Sequence, residues 1–565
     1  MWGSTGKSDR SIIFFRVLFL IMLSLVGIRL FQLQIVRGGN YEARAEIQHR
    51  FTREDPARRG NILDRNNRLL AGTMATQSVW LYKPVMSPDD IVRAVVTLSS
   101  VLGGSTADFM KKINEGPSYV RVARHVDLRS AKKIEEARIN GLELSYDPLR
   151  FYPNGSAASQ LLGFCNRDGQ GVEGVERQFD KYLKGQDGFF VFSRDALNKP
   201  ISTTSDSRVE PRPGLDLILT IDVWIQSILE EEMAAACEKF VPSGAVGMVV
   251  DVKTGDVLAM SSWPSFDPNK YNLYPIKSFR NRAVRDIYEP GSMAKMFTAA
   301  AALERGIMSP DTVIDCENGR YYLHGRMIKD AGNHHYNELT LTQVIAKSSN
   351  VGTAKIGEAV GAEGLYDTLC AFGLNEMSGL SLLGEEKSWL YPVSKWSKKS
   401  VASISFGYEL CVTPAAICRA YCAVANGGIL PPLRVIEGVY DNQGRRVFSP
   451  ESGEPRRAIS KETSDKLIKI LREVVMDGTC SAANIPEYRI AGKTGTAIKV
   501  VNGKYDWSKT LSSFIGFAPL SDPRLVVLIS LDEPTKAQYG GTVAGPAVTG
   551  VLKRSLEYLG VPFEK

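Results

Sequence analysis

Three short segments carry residue types that could do covalent chemistry. Ser292-Met293-Ala294-Lys295 follows Glu289-Pro290-Gly291 and opens Met296–Glu304, a run of helix formers. Residues three apart on a helix share a face. A hydroxyl and an amine so placed make a nucleophile and a base, provided burial or a second cation strips the lysine of its proton. The helix N-terminus favours the negative charge that develops. The spacing alone says little, because Ser4…Lys7 and Ser130…Lys133 repeat it in places where no chemistry is expected. Ser348-Ser349-Asn350 is the one S-x-N segment, and its residue types also suit a helix cap or turn. Lys-Thr-Gly occurs twice. Lys253-Thr254-Gly255 reads as a tight turn between two strand-like runs and is assigned to structure. Lys493-Thr494-Gly495-Thr496 follows the strand-like Tyr488–Ala491, where a cation and two hydroxyls flank a glycine that lets a substrate backbone lie along a strand edge.

The elements that must position these residues can be read around them. Leu215–Ile221 alternates like a strand, Asp222 is placed to cap a helix, and Ile225–Phe240 has helical apolar spacing. Ala245–Val250 and Val257–Met260 read as strands joined by Asp251–Asp256, with further strands near Ser513–Ala518 and Arg524–Leu531. These segments predict a compact α/β domain over 213–565. Before it, Pro200–Pro213 reads as a linker, and 32–212 alternates short β-like runs with charged helical stretches, notably over 86–140. Ala57–Ala71 has turn residues at Gly60 and Asn66-Asn67 and predicts a hairpin-like unit. No nucleophile and base meet in this part, which reads as a spacer or docking module.

Ile12–Ile28 is apolar apart from Arg16 and two small polar residues, and Leu30 and Phe31 extend it to the length of one bilayer crossing. Lys7 and Arg10 precede it, so residues 1–10 are expected in the cytoplasm, 11–31 as an uncleaved signal anchor, and the rest outside. The chain has 565 residues with 69 basic and 62 acidic side chains, a net +7. That length implies at least two domains, and the small charge without a basic, aromatic-laced run argues against nucleic acid. Eight cysteines form no C-x-x-C, and with five histidines there is little from which to build a metal site. The adjacent His334 and His335 point apart, and Cys418 and Cys422 read as small buried hydrophobes on a helix.

In the order S-x-x-K, S-x-N, K-T-G the three motifs are specific although each part is not. With RRGNILDRNNRLLA, FYPNGSAASQLLGF, GQGVEGVERQFD, FGYELCVTPAAICRAY and QYGGTVAGP, the chain resembles class B penicillin-binding proteins, most closely the division-type (FtsI family) peptidoglycan D,D-transpeptidases. Asn67 departs from the glycine usual in that family's DRxGxxLA segment, and asparagine tolerates a positive φ nearly as well. The resemblance implies a multidomain α+β chain: one transmembrane helix, an elongated pedestal or dimerisation-type domain over 32–212, and a transpeptidase domain over 213–565 built on an antiparallel sheet flanked by helices.

It also implies roles. Ser292 would be acylated by the penultimate D-Ala of a stem peptide, with Lys295 as base, Ser348 as proton relay and Asn350 orienting the donor amide and Lys295. Lys493 would keep the site positive. Thr494 and Thr496 would hold the substrate carboxylate beside Gly495, and the N–H groups of Ser292 and Thr496 would form the oxyanion hole. No metal or organic cofactor is called for. The implied partners are peptidoglycan stem peptides, β-lactams as covalent inhibitors, membrane lipid around one helix, and a SEDS-type (FtsW-like) glycan polymerase with other divisome proteins. Arg16 and Arg58-Arg59 would be candidate contacts for that polymerase. An elongation-type paralogue, a carboxypeptidase or β-lactamase-like hydrolase, and a divisome scaffold stay open as alternatives.

Overall fold

The computed structural model describes residues 6–37, 39, 50–194, 200–201, 207–451, 453–501 and 503–564. Two units emerge, residues 1–58 with 186–213, and 59–185 with 214–565.

In the first unit, α1 (Gly6–Phe31) runs into a short π-helical turn at Gln32–Val36. One span within it, Ile12–Val36, is long and apolar enough to cross a membrane, and its apolar side chains are exposed. Arg50–Asp55 pairs antiparallel with Gly188–Arg194, to which Ser207–Val209 and Pro200–Ile201 add. The stretch expected as a linker thus supplies two short strands, and its residues 202–206 lie outside the described residues.

The second unit holds three sheets relevant to the site. In the first, Thr76–Tyr82 lies between Tyr119–Asp127 and Leu142–Tyr146, and helices at Pro88–Leu102, Thr106–Glu115 and Leu128–Glu136 cover it. Val79, Leu81, Leu98, Ile113 and Ile134 make its core. The helical reading of 86–140 is therefore corrected at Tyr119–Asp127, where Val120, Val122 and Val126 turn inward from a strand.

A second, six-stranded sheet draws Ile62–Leu63, Leu69–Met74 and Leu149–Phe151 together with Asp216–Leu219, Ile436–Tyr440 and Arg446–Phe448, on both sides of residue 213. Its hairpin at Ile62–Met74 turns where the sequence places it. Asn67 takes φ 60°, and the Asp64 carboxylate accepts the N–H groups of Asn66 and Arg68 at 2.8 Å each. Behind it sits a buried ionic knot. Glu176, fully enclosed, accepts from Arg59 Nε at 2.8 Å and Arg150 Nε at 2.6 Å. Burial works against the Glu176 charge, but Arg150 and Arg59 outweigh it and hold the carboxyl below its ordinary range. Two glycines of GQGVEGVE serve this packing: a Cβ at Gly171 would collide with the Glu176 carbonyl, and one at Gly174 would lie 2.5 Å from the Gly163 nitrogen. Removing one partner of a buried ion cluster leaves uncompensated charge, so Glu176→Gln is expected to cost about 3–5 kcal/mol, read as an earlier urea midpoint.

The third sheet carries the site. Its strands are β1 (Gly244–Asp251), β2 (Val257–Trp263), β3 (Ala491–Val501), β4 (Lys504–Ala518) and β5 (Leu525–Asp532), all antiparallel in the order β2-β1-β5-β4-β3. Alternate residues feed two cores. Val246, Met248, Val526 and Leu528 face one, and Ala245, Val249, Val527 and Ile529 face the other. The second core is closed by α2 (Val223–Phe240), capped by Asp222 Oδ1 on Trp224 N at 3.0 Å, and by a C-terminal helix at Gly545–Tyr558. The first is closed by α3 (Lys295–Glu304), whose residues through Leu303 are all buried, and by a helix at Pro414–Ala425 that buries Cys418 and Cys422 as expected.

Candidate active site

β3 is an edge strand, and Lys493-Thr494-Gly495-Thr496 lies within it rather than after a strand at Tyr488–Ala491 as the sequence suggested. The nucleophile candidate reaches that edge from a turn. Pro290 and a one-turn 3₁₀ helix, Gly291–Ala294, lead into α3, and Gly291 takes φ 54°. A Cβ at Gly291 would sit 3.4 Å from the Thr496 carbonyl, so Ser292 follows a glycine held against β3. The Gly291 N–H donates to the Gly407 carbonyl (3.1 Å), and the Tyr421 hydroxyl donates to the Met293 carbonyl (2.9 Å), pinning the turn from both sides. Gly495 makes room for this turn, because a Cβ there would meet Met293 Cγ at 3.0 Å.

Ser348 ends the helix α4 (Leu341–Lys347) in the left-handed region, φ 61° and ψ 39°, and Ser349 caps α5 (Asn350–Val360). The segment is a cap and something more. Lys295 Nζ reaches the Ser348 carbonyl at 2.5 Å and Ser348 Oγ at 3.1 Å. Lys493 Nζ reaches the same Oγ at 3.1 Å. Two amines from distant parts of the chain thus converge on one hydroxyl, and if both donate, its own proton is left to donate elsewhere.

Both amines are fully buried. Burial, then the neighbouring Lys493, push the Lys295 ammonium well below the ordinary lysine range, with Asp330 opposing. Burial brings Lys493 down to about 7, and Cys480 opposes. Both conditions that the sequence offered for stripping the Lys295 proton, burial and a second amine, are met.

The remaining candidates take supporting positions. Thr494 Oγ1 hydrogen-bonds Thr479 Oγ1 at 2.6 Å, and the Gly540 N–H donates to Thr496 Oγ1 at 3.3 Å. Asn350 Nδ2 donates to the Lys329 carbonyl at 2.8 Å, turned toward the Arg326–Lys329 strand rather than bonded to Lys295. Asp330, which sequence reasoning missed, organises this corner. It accepts the Asn350 and Val351 N–H groups at 2.6 and 3.0 Å and the Ser349 hydroxyl at 3.0 Å. Thr479 and Tyr421 were missed as well, since nothing in their spacing ties them to the motifs.

The rival copies stand elsewhere. Lys253 lies in the β1–β2 turn, where Gly255 takes φ 74°, and its amine pairs with Asp522 at 3.0 Å. Ser130 and Lys133 lie on the Leu128–Glu136 helix, and Ser4 falls outside the described residues. His334 stacks on Tyr336, His335 Nδ1 lies 3.2 Å from the Asn318 carbonyl, and no metal-type cluster occurs among the described residues.

With the geometry in place, comparison with known proteins decides the family. Residues 245–553 match the penicillin-binding protein transpeptidase domain, and 54–219 match the penicillin-binding protein dimerisation domain. The chain belongs to the penicillin-binding protein transpeptidases. It is 35% identical over 508 residues to the peptidoglycan D,D-transpeptidase FtsI of Escherichia coli, covering 87% of this chain and 82% of that one. To the stage V sporulation protein D of Bacillus subtilis it is 33% identical, covering 96% and 84%. Among solved structures, penicillin-binding protein 3 of Mycobacterium tuberculosis, complexed with aztreonam, aligns with a TM-score of 0.71 at 28% identity over 91% of this chain and 98% of that chain. The two-domain fold with one N-terminal apolar helix, expected from the resemblance, is thereby shown, and the enzyme is a serine-type transpeptidase of the penicillin-binding class.

Proposed function

We propose that this transpeptidase cross-links peptidoglycan stem peptides through an acyl-enzyme on Ser292. Lys295, neutral through burial and its neighbour Lys493, takes the Ser292 proton as Oγ attacks the penultimate D-Ala carbonyl carbon. The oxyanion rests on the N–H groups of Ser292 and Thr496. Collapse breaks the C–N bond to the terminal D-Ala, whose amine takes its proton through Ser348. The amine of a second strand then attacks the ester, forms the new amide and returns a proton, so that Ser292 is free again. Asn350 holds the donor amide and is itself held by Lys329, while Lys493, Thr494, Gly495 and Thr496 seat the substrate along the open edge of β3.

The observation that carries this reading is the meeting of Lys295 and Lys493 on Ser348 Oγ beside the Ser292 turn. The test supplies the purified chain with a pentapeptide donor strand and an amine acceptor. One D-Ala released per cross-linked product is the expected result, whereas hydrolysed donor as the main product would sink the transferase assignment in favour of a carboxypeptidase.

The same reading places the protein in septal wall synthesis, its α1 helix in the inner membrane with residues 1–10 cytoplasmic and the transpeptidase domain, 213–565, outside. Domain 32–212 then serves as a pedestal beside a SEDS-type (FtsW-like) polymerase and other divisome proteins. Arg59 is removed from the candidate contacts, because it is buried against Glu176 and Asp180. Arg16 on α1 and the exposed Arg58 remain. Deleting residues 1–31 is expected to leave penicillin acylation nearly unchanged yet abolish complementation of a strain lacking the protein. Normal division with the anchorless, exported form would overturn the membrane-coupling idea.

A further inference from the structure

Beyond the catalytic residues, β3 and β4 continue as a hairpin whose far end carries an exposed aromatic surface. The two strands lose register there. Ile498 pairs with Thr510, but Lys499 pairs with Asp506, so Trp507, Ser508 and Lys509 bulge out of the ladder. Bulges beside active sites commonly re-aim a side chain. This one presents Trp507, which is 77% exposed, more than any other described tryptophan, tyrosine or phenylalanine. With Val501, Lys504, Tyr505, Asp506 and Ser508 it lines an open depression of about 670 Å³.

The bulge is tied down. Asp506 Oδ1 accepts the Ser508 N–H at 3.0 Å and the Ser508 hydroxyl at 2.6 Å, closing a tight turn around Trp507. At its base, Lys499 Nζ binds Asp532 at 2.8 Å and Glu533 at 2.7 Å, where β5 ends. On the other flank, the Tyr505 hydroxyl donates to Glu289 Oε1 at 3.2 Å, and its ring meets Tyr408 edge to face at 5.4 Å. Glu289 lies three residues before Ser292, so the hairpin end is fastened to the segment that carries the nucleophile. A large exposed ring gains nothing for the fold, and an aromatic wall ringed by polar groups is the composition of a ligand surface.

The strand direction selects the ligand. On the cross-linking reading, on which this inference rests, the terminal carboxylate sits at Thr494 and Thr496 and the scissile carbonyl meets the Thr496 N–H. The stem peptide then runs antiparallel to β3, its amino end toward Val501. The three residues ahead of the penultimate D-Ala span roughly 10 Å when extended. That carries the amino end as far as Lys499, level with the bulge. What a stem peptide bears at its amino end is the N-acetylated sugar of the glycan strand. We propose that Trp507 is a stacking platform for that sugar, with Lys504 and Asp506 hydrogen-bonding its hydroxyl and acetamido groups, so that the enzyme prefers donors that carry glycan. A pyranose ring presents a face of C–H groups that buries well against an indole.

The test compares two donors on the full chain, a disaccharide pentapeptide and the same pentapeptide acetylated at its amino end without sugar. Release of D-Ala in the presence of an amine acceptor is followed for the parent, Trp507→Ala and Trp507→Phe. Trp507 is exposed, so both variants are expected to fold. The parent should show a KM about fivefold lower for the glycosylated donor, with kcat alike. Trp507→Ala should erase that preference, and Trp507→Phe, which keeps a ring, should retain most of it. Equal KM values for the two donors in the parent, or a preference that survives in Trp507→Ala, would overturn the proposal, and a ring that instead serves a protein partner would give that result. Calorimetry on the Ser292→Ala chain repeats the comparison as binding, without turnover. Glycan-dependent affinity lost with Trp507→Ala, from a parent that releases no D-Ala, supports the platform and sinks the cross-linking reading. Turnover of both donors alike supports that reading and sinks the platform.

Discussion

Ser292→Ala is expected to abolish covalent labelling by fluorescent penicillin while leaving the fold intact. The label needs an oxygen nucleophile at the entrance of α3, one turn from a buried amine, and the described residues offer that combination once. Ser130 and Lys133 share the spacing, but Lys133 is exposed on its helix and keeps water as its solvent. The substitution removes one oxygen from a half-buried side chain on a turn already fixed by Gly291, Gly407 and Tyr421, so circular dichroism and the unfolding midpoint should barely move. Gel fluorescence, with mass spectrometry of the labelled peptide, reads the outcome. Labelling that persists in the variant, or that maps to another serine, would remove Ser292 from its role.

Lys295→Ala is the second large effect. A positioned general base is worth roughly 10²–10⁴ in rate, so the acylation rate constant should fall by about that factor while Ser292 stays in place. A pH profile separates loss of the base from a merely structural defect. In the parent, acylation needs a neutral Lys295 and, for a carboxylate-bearing β-lactam, a charged Lys493. Lys493 is charged below about 7 in the free enzyme and loses its proton as the pH rises through that value. The second-order acylation constant should therefore decline on the alkaline side near neutrality. The two lysines meet on one hydroxyl, so the observed limbs belong to the pair. Lys493→Arg keeps its charge throughout this range and should remove the alkaline decline. A decline unchanged in Lys493→Arg would show that another group sets it.

Much of this site was legible before any coordinates, because the chemistry is written locally. Ser292 and Lys295 are one turn apart, Ser348 and Asn350 share a short cap, and Lys493 to Thr496 are contiguous. Asn67 and Asp222 likewise announced a positive φ and a helix cap through side chains with few other uses. What stayed hidden depends on residues far apart in sequence. Asp330 reaches the α5 N-terminus from just past the Arg326–Lys329 strand, 20 residues away, and Thr479 meets Thr494 across 15 residues, so neither pair falls within a single motif. Tyr119–Asp127 was misjudged for a different reason. Its arginines and its position among Lys/Glu-rich helices masked an alternation that only the pairing with Thr76–Tyr82 makes decisive. Asn350 shows the converse, since the family resemblance implied a link to Lys295, whereas its amide donates to the Lys329 carbonyl.

The strand order of the catalytic sheet has a bearing on how the enzyme comes into being. β5 is the last of the five strands in sequence yet lies second from β2, wedged between β1 and β4. Until it is made, the hairpin that backs the nucleophile helix and the hairpin that carries Lys493 have no common seam, although every motif residue has already been synthesised. Pairing across such long sequence separations is slow and leaves strand edges open meanwhile. Catalytic competence is therefore expected to await the insertion of a strand that contains none of the catalytic groups.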